Sequence, residues 1–105
     1  MTFQHMDAAT LRDKLKCGLP PGWTLLDVRT REEFVGLGHI EGATLLPLHE
    51  LPARFQELSA EAPLVVYCQH GVRSQQACWF LASQGFTHIY NLTEGFVAWE
   101  DTCLD

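Results

Sequence analysis

Four short apolar runs, each followed by a segment with helical spacing, set the strongest limit on how this chain can fold. The runs cover residues 23–28, 44–46, 64–67 and 86–92, and the segments after them cover 31–35, 48–58, 74–84 and 96–100. Runs this short and this apolar suit strands buried on both faces. Leu48, Leu51, Phe55 and Leu58 fall on one face of a helix. Asp7 reads as the N-cap of a further helix over residues 8–16, and Thr30 with Glu33 three positions on has the spacing of a capping box. Residues 1–6 read as an edge strand or an extended arm. Strands alternating with helices predict an α/β fold, a mostly parallel central sheet with helices on both faces. In such sheets ligands gather beyond the carboxyl ends of the strands.

The 105 residues are expected to form one domain, 1–105. A net charge of −6 argues against nucleic acid as a partner. No apolar run approaches the roughly 20 residues of a membrane helix, so no membrane partner is expected. Residues 1–7 lack the basic and apolar regions of a secretory signal, and a cytoplasmic location is expected. Cys17, Cys68, Cys78 and Cys103 form no Cys-x-x-Cys pair, so neither a zinc site nor a thioredoxin-like motif is predicted. Free thiols in a reducing compartment are the expectation.

Chemistry concentrates at Cys68. The apolar run 64–67 leads into Cys68-Gln69-His70-Gly71-Val72-Arg73-Ser74, and a helix is predicted from Ser74 to Gln84. A cysteine between a strand end and a helix start sits where successive main-chain N–H groups can converge on an anion. That field, with Arg73 and a protonated His70, favours thiolate over thiol. Cys68 therefore reads as a nucleophile, and residues 69–74 as a cradle for a negative group. Gly71 is expected to take a backbone conformation closed to other residues. Gln69 is expected to be an exposed loop residue whose main-chain amide matters more than its side chain. Arg73 can bind an oxyanion donor or pair with an acid such as Glu94, and His70 can steer an anion or line the rim.

Other reactive side chains have plainer readings. Cys78 lies in an apolar helix and reads as core; Cys17 reads as a packing residue at a helix end; Cys103 reads as exposed. His39, in a glycine-punctuated loop, is read as a loop anchor rather than a base or a ligand. Asp27 and Arg29, at a strand end, are read as an internal ion pair.

In this order the chain resembles the rhodanese (sulfurtransferase) domain family. The stretches that carry the resemblance are Leu25-Leu26-Asp27-Val28-Arg29, Gly38-His39-Ile40-Glu41-Gly42-Ala43, Val66 to Ser74, and Leu92-x-x-Gly95-x-x-x-Trp99. The resemblance implies a three-layer rhodanese-like domain of the single-domain type. It implies a persulfide mechanism in which Cys68 takes a sulfane sulfur from thiosulfate or a related anionic donor and passes it to cyanide or a thiol. It implies no cofactor and no metal. Two rivals stand beside it. One is a cysteine-loop phosphatase or arsenate reductase, whose loop places five residues between Cys and Arg where this chain has four. The other is a sulfur-relay module that docks a partner protein and turns over small molecules poorly.

Overall fold

The computed structural model describes residues 2–102, so Cys103 lies outside the described residues. Five strands form one sheet: β1 (Gln4–Met6), β2 (Thr24–Asp27), β3 (Thr44–Leu45), β4 (Leu64–Tyr67) and β5 (Ile89–Leu92). Their order is β1-β5-β4-β2-β3, and every pairing is parallel. Four α-helices alternate with them, one in each crossover: α1 (Ala8–Lys14), α2 (Arg31–Gly36), α3 (Leu51–Arg54) and α4 (Val72–Ser83). A fifth, α5 (Gly95–Asp101), follows β5. The α/β expectation holds, and residues 4–6 are the predicted edge strand.

The pleat divides the apolar residues between two cores. Leu26, Leu64, Val66 and Cys68 face Leu51 of α3 and Ala77, Cys78 and Leu81 of α4. Leu25, Val65 and Tyr67 face Ala8 and Leu11 of α1 and Phe96 of α5. β4 is flanked by β2 and β5, so its end is the middle of the sheet's edge. The chain leaves β2 for the edge strand β3 and leaves β4 for β5 on the other side. Connections that diverge from adjacent strands open a crevice at the carboxyl edge.

The helix boundaries carry the main differences from expectation. Residues 48–58 are not one helix: 3₁₀ turns at Leu48–Glu50 and Phe55–Glu57 flank the four-residue α3. Pro52 near the start of α3 removes a donor there, and Phe55 begins a tighter turn instead of extending the helix. α1 ends at Lys14, two residues early, which leaves Cys17 exposed rather than packed. Asp7 does cap α1, and the Thr30–Glu33 capping box is formed in full. No helix of the described residues is long and apolar enough to cross a membrane.

One position joins the sheet's edge to α5 too tightly for any side chain. Gly95 opens α5 at φ +68, and a Cβ there would fall on the Cys68 carbonyl oxygen and 2.7 Å from that of Gln69. Both obstacles are backbone, so neither can rotate aside. Gly95→Ala is expected to cost more than about 2 kcal/mol. Gly36→Ala, at a helical glycine with open space around it, is expected to stay within about 0.5 kcal/mol or to stabilise. Urea unfolding of both variants checks this; equal effects would contradict it.

Candidate active site

Cys68 follows β4 directly and is 1% exposed. The chain then turns through Gln69, His70 and Gly71 and enters α4 at Val72, two residues before the predicted start. Gly71 makes the early start feasible. It sits at φ +93 in the N-cap position, and a Cβ there would press on the Glu94 amide nitrogen at 3.2 Å. The left-handed conformation expected of it is present.

Main-chain donors converge on the sulfur. The Gly71 N–H donates to Cys68 Sγ at 3.1 Å and the Ser74 N–H at 3.2 Å. The Ser74 hydroxyl donates to Asn91 Oδ1 at 2.5 Å, so its single proton is committed to β5. Its oxygen, 3.4 Å from Sγ, is left to accept from the thiol. Asn91 in turn lies 3.5 Å, Nδ2 to Nδ1, from His5 on β1. Sequence reasoning missed Asn91. Its signal was an amide side chain inside the apolar run of β5, where a buried polar group needs a partner.

The carbonyls of the turn are held from the other side. The Phe96 N–H donates to the Cys68 carbonyl at 2.8 Å and the Val97 N–H to that of Gln69 at 3.2 Å. These are orphan donors of the first turn of α5. A trans peptide points its N–H opposite to its C=O. Holding those two carbonyls toward α5 therefore turns the N–H groups of Gln69 and His70 away from it. Cys68 is thus packed in the α4-side core and also reached by polar main chain.

Two arginines flank the turn, and both are matched to acids. Arg29 is fully buried, as is Asp27. Its Nε and Nη2 bind the Asp27 carboxylate at 2.7–3.1 Å, Nη2 also reaches the Gly38 carbonyl at 2.7 Å, and Nη1 reaches Gln69 Oε1 at 3.0 Å. Burial works against the Arg29 charge, and the bonds and charge of Asp27 outweigh it. The pair expected of Asp27 and Arg29 is present, and it extends to a site residue through the Gln69 side chain. Arg73 also forms an ion pair, but with Glu33, not Glu94. Its Nη1 and Nη2 reach the two Glu33 oxygens at 2.7 and 2.8 Å. Glu94 instead occupies the left-handed region at φ +62, leading into α5.

The remaining candidates separate cleanly. His70 and Val72 are exposed on the rim. His39 stacks on Phe34 at 3.7 Å, with Nδ1 3.2 Å from the Phe34 carbonyl, as a loop anchor would. Its neighbour Ile40 is tied by its N–H to the Tyr67 hydroxyl at 3.1 Å. Cys78 is buried one turn along α4 from Ser74. Burial, and then the charge of Cys68, push its thiol up to about 12, so it stays protonated core. A cleft of about 560 Å³ lies between α1, Trp99 and the 40–42 loop and includes none of residues 68–74. A cleft of about 250 Å³ is lined by Val28, Thr30, Pro47, Leu48, His49 and both arginines, Arg73 being its one residue from 68–74.

Comparison with known proteins follows the same lines. The rhodanese-like domain family matches residues 7–102. A sulfurtransferase of Allochromatium vinosum is 41% identical over 71% of this chain and 69% of its own length. The thiosulfate sulfurtransferase GlpE of Ectopseudomonas mendocina is 41% identical over 77% of this chain and 73% of its own. Among solved structures, the rhodanese-like domain of the Anabaena protein Alr3790 superposes with a TM-score of 0.84 at 35% identity. That match covers 97% of this chain and 76% of the other.

The Glu33 pair has a measurable consequence for acid stability. Arg73 first, and the Thr30 amide among the rest, hold the Glu33 carboxyl at about 2 against burial. A depressed carboxylate stabilises fully above its unfolded value near 4.5, and the gain is lost as pH falls toward about 2. With Arg73 partly exposed, the gain is of order 1–2 kcal/mol after screening. Glu33→Gln keeps a capping oxygen and should be less stable than the parent at neutral pH by about that amount. Urea unfolding should show the difference shrinking below pH about 4.5. A difference constant down to pH about 2.5 would contradict the pairing.

Proposed function

This chain belongs to the rhodanese-like domain family, and we propose that it works as a sulfurtransferase with Cys68 as the sulfur carrier. The observation that carries the reading is the pair of main-chain N–H groups, Gly71 and Ser74, aimed at one sulfur. Fixed dipoles of this kind suit a sulfur bearing negative charge and need no rearrangement when it forms.

The step follows from that charge. The Cys68 thiolate attacks the outer, sulfane sulfur of thiosulfate. A sulfur–sulfur bond forms to Cys68, the bond to the sulfonate sulfur breaks, and sulfite leaves with its electron pair. Cys68 then carries one extra sulfur with a terminal negative charge, and net charge is conserved. A thiol-borne persulfide serves as donor by the same displacement. A thiolate or cyanide takes the sulfur in the second step and restores Cys68. This is covalent catalysis in two halves, related in logic to thiol–disulfide exchange.

The remaining site residues have supporting roles in this reading. Gln69 and His70 supply N–H groups that turn away from α5, toward an added sulfur. Gly71 and Ser74 hold the inner sulfur. Val72 and His70 line the approach. Asp27 and Arg29 act through Gln69 as positioning residues. A turn of three residues between Cys68 and α4 makes a small bowl, suited to one sulfur atom better than to a phosphate. That favours sulfur transfer over the phosphatase alternative. A partner protein presenting a persulfide or an acceptor thiol can use the same bowl.

Intact-mass measurement before and after incubation with thiosulfate tests the reading. One added sulfur is expected on the parent chain, removed by cyanide. Cys68→Ser should take up none, while Cys17→Ser, Cys78→Ala and Cys103→Ser should load as the parent does. Loading that survives in Cys68→Ser, or is lost in Cys78→Ala, would place the chemistry elsewhere.

A further inference from the structure

The carboxyl edge of the sheet offers an arriving anion little unmatched positive charge among the described residues. All three guanidinium nitrogens of Arg29 are bonded to Asp27, Gly38 and Gln69, and the side chain is fully buried. Arg73, on the first turn of α4, is clasped by both oxygens of Glu33. His70 is the other basic side chain on the turn, and it is exposed.

Glu33 does two jobs with one carboxylate. As the third residue of α2 it accepts from the Thr30 N–H at 3.0 Å, completing the capping box. Its same oxygen and its second oxygen hold Arg73, forty positions away. The first turns of α2 and α4 are therefore strapped together beside the sulfur. Arg73 feels the Glu33 charge first, and those of Cys68 and Asp27 more weakly, so its guanidinium lies within electrostatic reach of the reacting atom. A carboxylate at 2.7 Å cancels most of the field that guanidinium would present to a dianion.

We propose that Glu33 sets the donor class of this site. By holding Arg73 matched, it withholds positive charge that would draw in the thiosulfate dianion and so favours an organic persulfide, R–S–SH, as the sulfur donor. The 250 Å³ cleft that Arg73 lines fits this preference. Val28, Pro47 and Leu48 line it together with Thr30, His49, Arg29 and Arg73. Both arginines are already matched to acids, so the wall left to a ligand is mostly apolar and suits a carbon-bearing body better than a bare oxyanion. The transfer balances without any oxidant. The Cys68 thiolate attacks the outer sulfur, a sulfur–sulfur bond forms to Cys68, the sulfur–sulfur bond of the donor breaks, and R–S⁻ leaves with the electron pair. The persulfide proton stays on the transferred sulfur or passes to the departing thiolate. The inference rests on Cys68 being the sulfur carrier.

Glu33→Gln separates the two jobs of this residue. Its amide oxygen can still accept from the Thr30 N–H, while its charge is gone and its NH₂ group repels the guanidinium. The donors compared are thiosulfate and 2-hydroxyethyl persulfide, which has an uncharged body. The parent should use the persulfide at least about tenfold more efficiently, as kcat/KM. In Glu33→Gln the KM for thiosulfate should fall about three- to tenfold at low salt, with kcat changing less. The KM for the persulfide should stay within about twofold. Raising salt to about 0.5 M should shrink the gain. Adding Arg73→Ala to Glu33→Gln should return the thiosulfate KM toward the parent value, identifying Arg73 as the released charge.

An unchanged thiosulfate KM in Glu33→Gln, with Cys68 still loading sulfur by mass, overturns the role of Glu33 and leaves the sulfurtransferase reading standing. A parent that prefers thiosulfate overturns the donor class. Failure of the parent's Cys68 to load from either donor overturns the sulfurtransferase reading itself.

Discussion

Two hydrogen bonds, from the amides of Phe96 and Val97 to the carbonyls of Cys68 and Gln69, hold the polarity of the whole site. Without them the turn after β4 could place carbonyl oxygens near the sulfur as readily as N–H groups. With them, the oxygens face α5 and the hydrogens face the other way. Gly95 is the steric condition for this arrangement, because only a residue without a Cβ lets the start of α5 come this close to the turn. Gly71 is the matching condition on the other side, where it lets α4 begin after a turn of only three residues, 69–71. The last β-strand and its helix, far from Cys68 in sequence, therefore decide how Cys68 is presented.

Charge at the sheet's edge is organised by the same economy. The buried Asp27–Arg29 pair costs desolvation, which its bonds must offset. It carries extra partners in Gly38 and Gln69, so it links β2, the 38–43 loop and the turn after β4. Glu33 and Arg73 link α2 to α4 in the same manner at the surface. Cations are thus spent on joining elements, and in the proposed reaction stabilisation of negative sulfur is left to main-chain dipoles. Dipoles fixed by the backbone are insensitive to side-chain motion, which suits the proposed shift of charge from one sulfur to the next.

The layered α/β fold was legible in the alternation of apolar runs with helical segments, because parallel strands buried on both faces leave that pattern. The place of Cys68 between a strand end and a helix start was legible, because the apolar run before it and the helical spacing after it bracket the turn. The capping box at Thr30 and Glu33 was legible as a local spacing, but the second partner of Glu33 was not, since Arg73 meets it only after two crossovers. The same holds for Ser74 with Asn91 and for α5 with the Cys68 carbonyl: each is a contact between strand ends that the sheet order alone brings together. The helix read over residues 48–58 had the right apolar spacing, and Pro52 with the 3₁₀ turns broke it locally. Of the family-like stretches, Gly38 to Ala43 turned out to anchor: His39 on Phe34, Ile40 on Tyr67 and Gly38 on Arg29.

The most direct measurement is the ¹H–¹⁵N spectrum of labelled protein, recorded before and after Cys68 is loaded with sulfur. Moving negative charge from the inner sulfur to an added one should shift the Gly71 and Ser74 amide protons. Neither should move in Cys68→Ser treated with the same donor. Gly71 and Ser74 signals that stay in place while intact mass reports a loaded Cys68 would contradict the claim that these two hydrogens hold the reacting sulfur.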